Sequence, residues 1–302
     1  MRYTLPGKNL GARMEQMNRF TKNLHYFSPT GKAGLIILSL FFLMAVFSAR
    51  LTTHPHDVSS GKALMPPCFD HVLGTDDIGV DLWSQLVYGA RISLLVGFLT
   101  AGISGCFGAL VGMFAGYTGG WMDRFFMRII DGMMVLPDLP VMIVLAAFFG
   151  PGLAQVILVL SLFSWVFTAR IVRSRVLVIK QKEYVIYARI SGAGPVYLMR
   201  KHLFPEVLPL VWVSMIRLAG KAIVAEAGLS FLGLGDPTSR SWGLIIYHAT
   251  RFPGIYYTRF WTWWLLYPFL ALSGMVLALA FVCRDLETLA DPRMNQKISG
   301  GV

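Results

Sequence analysis

The sequence predicts an all-α integral membrane protein with about six transmembrane helices, and three observations lead there. Of the 302 residues, 55% are hydrophobic and only 14% are charged, with a mean hydropathy of +0.60. A soluble domain of this size has no core able to hide that much apolar surface, whereas a bilayer hides it. The apolar residues also fall into long runs separated by polar stretches, and lysine and arginine crowd into alternate stretches. A net charge of +11 can point to nucleic acid, but the basic residues form no stripe with aromatic neighbours, so no nucleic acid is expected.

A span needs roughly 17 to 25 residues with few charges. The basic stretch 1–32 is much longer than the charged head of a signal peptide, so the first apolar run, 33–49, is expected to be a retained helix. The second span, 92–116, is rich in glycine. Gly108 and Gly112 have the small-xxx-small spacing that lets helix backbones approach in lipid. The third covers 129–149 and is expected to break near Pro137 and Pro140. After Gly150-Pro151-Gly152 comes the fourth and shortest, 153–168, followed by a fifth at 208–232 and a sixth at 263–283. The domain reading is therefore a basic segment 1–32, the first helix, an outer segment 50–91, a five-helix core 92–283 and a tail 284–302.

Orientation follows from the basic residues. With the N-terminus inside, inner stretches carry nineteen lysines and arginines and outer ones six, while Arg217 and Lys221 fall within a span. Both termini are expected in the cytoplasm. The outer segment 50–91 holds His54-Pro55-His56, whose two histidines are too few for a metal site. The aromatic-rich outer segment 233–262 ends in Trp261, Trp263 and Trp264, expected as an interfacial belt. Cys68, Cys106 and Cys283 are odd in number and widely spaced, so they read as packing residues rather than a disulfide or zinc framework.

The inner stretch 170–205 carries eight of the nineteen inner basic residues, yet it is punctuated like a fold. A helix is expected over 176–190, with apolar positions Val178, Val185 and Ala188. Ser191-Gly192-Ala193-Gly194-Pro195 breaks it, and a second helical piece covers 196–203, ending before Pro205. A helix, a glycine turn and a second helix lying along the membrane suit docking into a groove on a cytoplasmic partner.

These residues carry a resemblance. Glu183-Tyr184-Val185-Ile186-Tyr187-Ala188-Arg189-Ile190-Ser191-Gly192-Ala193, with His202-Leu203-Phe204-Pro205, resembles the EAA loop of ABC importer permeases. Ala225-Glu226-Ala227-Gly228-Leu229-Ser230-Phe231-Leu232-Gly233-Leu234-Gly235 is similar to the dipeptide, oligopeptide and nickel branch. So are His71-Val72-Leu73-Gly74-Thr75-Asp76-Asp77-Ile78-Gly79 and Asp291-Pro292-Arg293. The resemblance covers about residues 30–293 and implies an ABC importer type I permease fold with a cytoplasmic coupling helix, in a bacterial inner membrane. It implies a homologous second permease, two ABC ATPase subunits holding ATP and magnesium, and an extracytoplasmic substrate-binding protein. The chain itself is then expected to hold no cofactor and to catalyse nothing. Cargo would be peptides, nickel or a metal chelate. By the same resemblance Glu183, Tyr184, Ala188, Arg189, Gly192, Ala193 and Pro205 couple to the ATPase. This chain departs from the pattern at Ile186-Tyr187-Ala188, where the branch has Glu-Ala-Ala. It departs again at Val80 and Gln85, where arginines are common, and at Arg284 and Glu287, where the signs are swapped. The swapped residues are expected to pair with each other at i,i+3 spacing.

Ionisable residues inside spans are costly and mark candidate sites. Asp131 and Glu226 match the branch, whereas Asp138, Arg217 and Lys221 do not. At about 1.5 Å per residue, Asp138 and Arg217 come out at similar depth, so they are expected to form a pair or to line a pathway. Asp138, Arg217, Lys221 and Glu226 are the pathway candidates. The competing function is a self-contained secondary transporter, against which no inverted repeat is visible. A membrane enzyme is disfavoured by the lack of any nucleophile–base constellation or HExxH.

Overall fold

A computed structural model describes residues 27–290, and the described chain is almost wholly helical. Helix α1 is Pro29–Val46, followed by the short α2, Ser48–Leu51. The long α3 is Leu82–Thr118, α4 is Gly120–Val135, α5 is Asp138–Phe149 and α6 is Leu153–Ile179. Then come α7, Glu183–Ile190, α8, Pro195–Leu198, and a π-helical turn, Met199–Leu203, that runs into α9, Phe204–Phe231. Helices α10, Trp242–Arg251, α11, Trp261–Trp264, and α12, Leu266–Ala290, complete the described chain. Five stretches are long and apolar enough to cross a membrane, and α4 with α5 makes a sixth if that bent pair is one span.

Helix α3 is the axis of the bundle, and its glycines decide how closely its neighbours approach. A Cβ on Gly108 would lie 2.4 Å from the Trp165 carbonyl oxygen, and one on Gly112 would lie 2.3 Å from that of Ala169. The expected small-residue seam is therefore the α3–α6 contact. On another face of α3, Gly97 and Gly105 meet Ile223 and Met215 of α9. Helix α1 packs on α12 where Gly34 faces the Ala278 carbonyl. Ser28 caps α1 and donates to the Asp285 carboxylate at 2.8 Å, tying the two ends together. Most of α1 remains uncovered, with Ile36, Leu40 and Phe42 exposed, as suits a helix facing lipid.

Several elements differ from the sequence reading. The fourth span is not short: α6 continues helically through Arg170, Arg173 and Arg175 to Ile179, because basic residues favour helix as well as loop. The helix expected over 176–190 is instead split at 180–182, and Val178 is exposed rather than packed. The second piece does not stop before Pro205. Proline is tolerated in a helix's first turn, so Pro205 opens α9 and the helical path from Pro195 runs on to Phe231. Outer residues 82–91 form the start of α3. Trp263 and Trp264 are not an exposed belt but lie buried in a core with Trp242, Ile255 and Met275, and only Trp261 is exposed. Of the cysteines, Cys283 is buried while Cys68 and Cys106 are exposed. Most of the basic segment 1–32, and Asp291-Pro292-Arg293, lie outside the described residues.

Candidate functional site

The third span is broken, and the break builds the site. Leu136 precedes Pro137 and is extended (ψ 134°), as a residue before proline prefers. The axes of α4 and α5 then differ by 92°. The turn places Asp138 in the first turn of α5, where it pairs with Lys221 of α9. One helical turn along α9, Arg217 pairs with Glu287 of α12. The expected Asp138–Arg217 pair is thus not formed: the two residues line one cavity, but Lys221, one turn further along α9, takes Asp138 while Arg217 takes Glu287. Nor do Arg284 and Glu287 pair; Arg284 bonds Thr30 while Glu287 takes Arg217. A cavity of about 930 Å³ opens at the break, lined by Asp138 and Lys221 among Met134, Leu139, Met142, Val224 and Val276. A second, about 530 Å³, is shared by Asp138, Lys221 and Arg217. A third, about 290 Å³, lies between α9 and α12 and is lined by Lys221, Arg217 and Glu287. Asp131 pairs with Arg170, linking α4 to α6.

Glu226 is placed elsewhere. It is buried and accepts from Ser230 at 2.7 Å and from Ser241, the N-cap of α10, at 2.6 Å. It lines none of these three cavities and joins the end of α9 to the start of α10. Gly233 completes that junction with a φ of +79°, its N–H donating to the Ser230 carbonyl and that of Leu234 to the Leu229 carbonyl.

At the other end, α7 and α8 form a helical hairpin. Gly192 has a φ of +87°; its N–H donates to Arg189 and that of Ala193 to Ala188, closing α7 with a Schellman motif. Val185, Leu198 and Leu203 are buried against Val172, Val176 and Val207, which seats the hairpin on α6 and α9. Ala188 and Ala193 pack at the edge of the same cluster. The outward side shows Tyr187, Ile190, Val196 and Tyr197, all exposed. Glu183 is exposed in the first turn of α7, and the Arg189 guanidinium sits 6.0 Å from the Tyr117 ring at the end of α3.

One carboxylate ties this hairpin to the bundle. Glu206, next to Pro205 in α9, accepts from Lys182 Nζ at 2.7 and 2.8 Å and from the Tyr184 hydroxyl, with Arg175 Nη2 3.8 Å away. Partial burial, then the Glu206 carboxylate, push the Tyr184 phenol up to about 12, so it stays a donor. Sequence reasoning missed Glu206. Its partners lie 22 to 31 positions away on other elements, and the only signal was an acid amid a basic stretch.

Residues 108–296, more than half of the chain, match the family described as binding-protein-dependent transport system inner membrane component. The chain belongs to this family. It is 39% identical over 268 residues to the dipeptide transport system permease protein DppC of Bacillus subtilis, covering 87% of this chain and 82% of that one. A putative peptide transport system permease protein of Brucella abortus is 34% identical over 88% of each chain. A putative peptide permease protein of Brucella suis is 33% identical over 94% of this chain and 92% of its own.

In this permease the 71–81 motif is a cap. Asp81 accepts from the Ser84 backbone and hydroxyl at 2.8 Å and lies 2.9 Å from His71 Nδ1, which fixes the start of α3. Asp76 accepts from Val80 N–H at 2.8 Å and from Gln85 Nε2 at 2.6 Å. Burial pushes the Asp76 carboxyl up, against the hydrogen bonds from Val80, Gln85 and Ile78. His54 Nε2 donates to the Asp70 carbonyl at 3.0 Å, and His56 stacks on Tyr88 with centroids 3.7 Å apart. Both histidines are therefore engaged within the fold.

Proposed function

We infer that this permease forms half of the membrane pathway of an ATP-driven importer of peptides. The observation that carries the reading is the broken third span, which brings Asp138 and Lys221 into a mostly apolar cavity between membrane helices. Peptide cargo is favoured because the similar proteins are named dipeptide and peptide permeases. The nickel alternative has no support at His54 and His56, which join no group of three or more metal-ligating side chains among the described residues. The exposed apolar side of α7 and α8 is the surface offered to an ATPase subunit, with Glu183, Tyr184, Arg189 and Gly192 at its rim and Pro205 behind it. Glu206 then transmits its movement to α9, the helix that carries Arg217 and Lys221. A second, homologous permease faces the open cavities, ATP and magnesium reside in two ATPase subunits, and a binding protein delivers cargo from outside. Both termini lie in the cytoplasm on this reading, which the excess of basic residues on that side supports.

Co-purification and reconstitution test this. A complex of this chain with its ATPase subunits should take up a radiolabelled dipeptide into proteoliposomes only with ATP and the loaded binding protein. Uptake by the chain alone, driven by an ion gradient, would make it a secondary transporter and overturn the reading.

A further inference from the structure

The permease carries two resident ion pairs on one side of α9, each reaching a different helix. Lys221 meets Asp138 of α5, and Arg217 meets Glu287 of α12. Both pairs are open rather than packed: the side chains of Lys221 and Asp138 are 56% and 40% exposed, those of Arg217 and Glu287 50% and 38%. Charges within membrane spans are costly to keep, so pairs left open to cavities rather than packed call for a role besides joining helices. Their position supplies one: Lys221 borders all three cavities, whose remaining wall is mostly apolar, with Ser164, Cys283 and Arg284 as its other polar members.

The two pairs differ in what else holds the cation. Arg217 is held on a second side by the Phe167 ring, 5.7 Å from its guanidinium carbon. Lys221 has a flexible stem and a point charge able to change partners, where the planar fork of arginine favours one fixed geometry. No such aromatic contact is formed by Lys221 among the described residues.

We propose that Asp138 and Lys221 form a partner-exchange site for a zwitterion, the free ammonium and free carboxylate of a peptide, with Arg217 and Glu287 as the next step along α9. This rests on the peptide reading above and names the part of the cargo that the membrane segment recognises. The cargo's ammonium takes the place of Lys221 on Asp138, and its carboxylate takes the released Lys221. No covalent bond changes. Two ion pairs stand where one pair and two hydrated cargo charges stood, so the cost of drying those charges is offset on the spot. An apolar wall without the pair would leave both unpaired.

The test compares three probes in proteoliposomes holding the whole complex: Ala-Phe, its N-acetyl form and its C-terminal amide. Uptake is normalised to permease abundance and to each probe's affinity for the binding protein. The unmodified complex should favour Ala-Phe. Lys221→Met leaves Asp138 unpaired and should shift preference toward the cationic amide by about tenfold, and Asp138→Asn should shift it toward the anionic acetyl form by a similar factor. Should either single variant fail to accumulate, the reversed pair Asp138→Lys with Lys221→Asp serves instead and should restore both abundance and Ala-Phe uptake. Unchanged preference in the single variants, or Ala-Phe uptake lost in an abundant reversed pair, overturns the exchange site and leaves the peptide reading standing. Uptake of none of the three probes by the unmodified complex overturns the peptide reading and the exchange site with it.

Discussion

Gly192 shows how one residue sets a joint. Its φ of +87° lies where an L side chain is strained, although a Cβ there would meet nothing within 4 Å. The constraint is conformational, at about 1 to 2 kcal/mol for an ordinary residue. Gly192→Val should leave the permease inserted and abundant while uncoupling ATP hydrolysis from uptake, and Gly192→Asn, which tolerates the left-handed region, should keep most coupling. Normal uptake by the valine variant would remove the hairpin from the coupling path. Glu206→Gln keeps the shape but gives up the charge that holds Lys182 and Arg175. Its expected phenotype is ATPase activity that no longer responds to loaded binding protein; a full response would show that α7 moves α9 by another route. The two residues were not equally legible. A glycine after a helical run announces its turn locally, whereas Glu206 acquires its role only when α6, α7 and α9 converge.

Helices are specified here by what their small residues allow. Gly112→Leu drives a side chain into the Ala169 backbone, 2.3 Å from where its Cβ would stand, and should sharply lower membrane abundance. Gly102 of the same helix meets nothing within 4 Å, so Gly102→Leu should accumulate normally. Because leucine favours helix more than glycine does, equal loss in both would mean that added bulk anywhere on α3, not the α3–α6 seam, sets abundance. Helix α10 adds a pH dependence. Burial, and then nearby Arg240, hold His248 below its usual value, so the unfolded chain takes up a proton that the folded one resists. Stability contributed there is present above about pH 6.5 and is lost as the pH falls below it. Melting in detergent at pH 7.5 and 5.5 should show the drop, and His248→Gln should flatten it. At this scale the glycine seam and the prolines of the third span were visible as spacing and punctuation. The 92° turn was not, because proline marks a break without giving its angle. The length of α6 was hidden too, since charge ended the apolar run before the helix ended.

For the molecule as a whole, the positive-inside argument and the coupling assignment stand or fall together. The segment 52–81 folds as a compact cap on α3, held by Asp76, Asp81 and Thr75, whose hydroxyl donates to the Lys62 carbonyl at 2.7 Å. Its centre packs with α10 and α11, because Leu64 and Leu73 meet the cluster of Trp242 and Trp263. These two segments therefore share one end of the bundle. The α7–α8 hairpin sits at the opposite end of α3, where Arg189 reaches Tyr117 and Lys180 Nζ donates to the Gly116 carbonyl at 2.9 Å. The basic residues Arg170, Arg173, Arg175, Lys180 and Lys182 gather at that end, so it should face the cytoplasm. Single cysteines at Ser60 and Thr238, in a background with Cys68, Cys106 and Cys283 replaced, should react with an impermeant thiol reagent added outside. Those at Lys182 and at Gln296, which lies outside the described residues, should react only after the membrane is opened. Labelling of Lys182→Cys from outside would turn the molecule over, place Gly192 and Glu206 beyond the reach of any ATPase, and withdraw the coupling role from the hairpin.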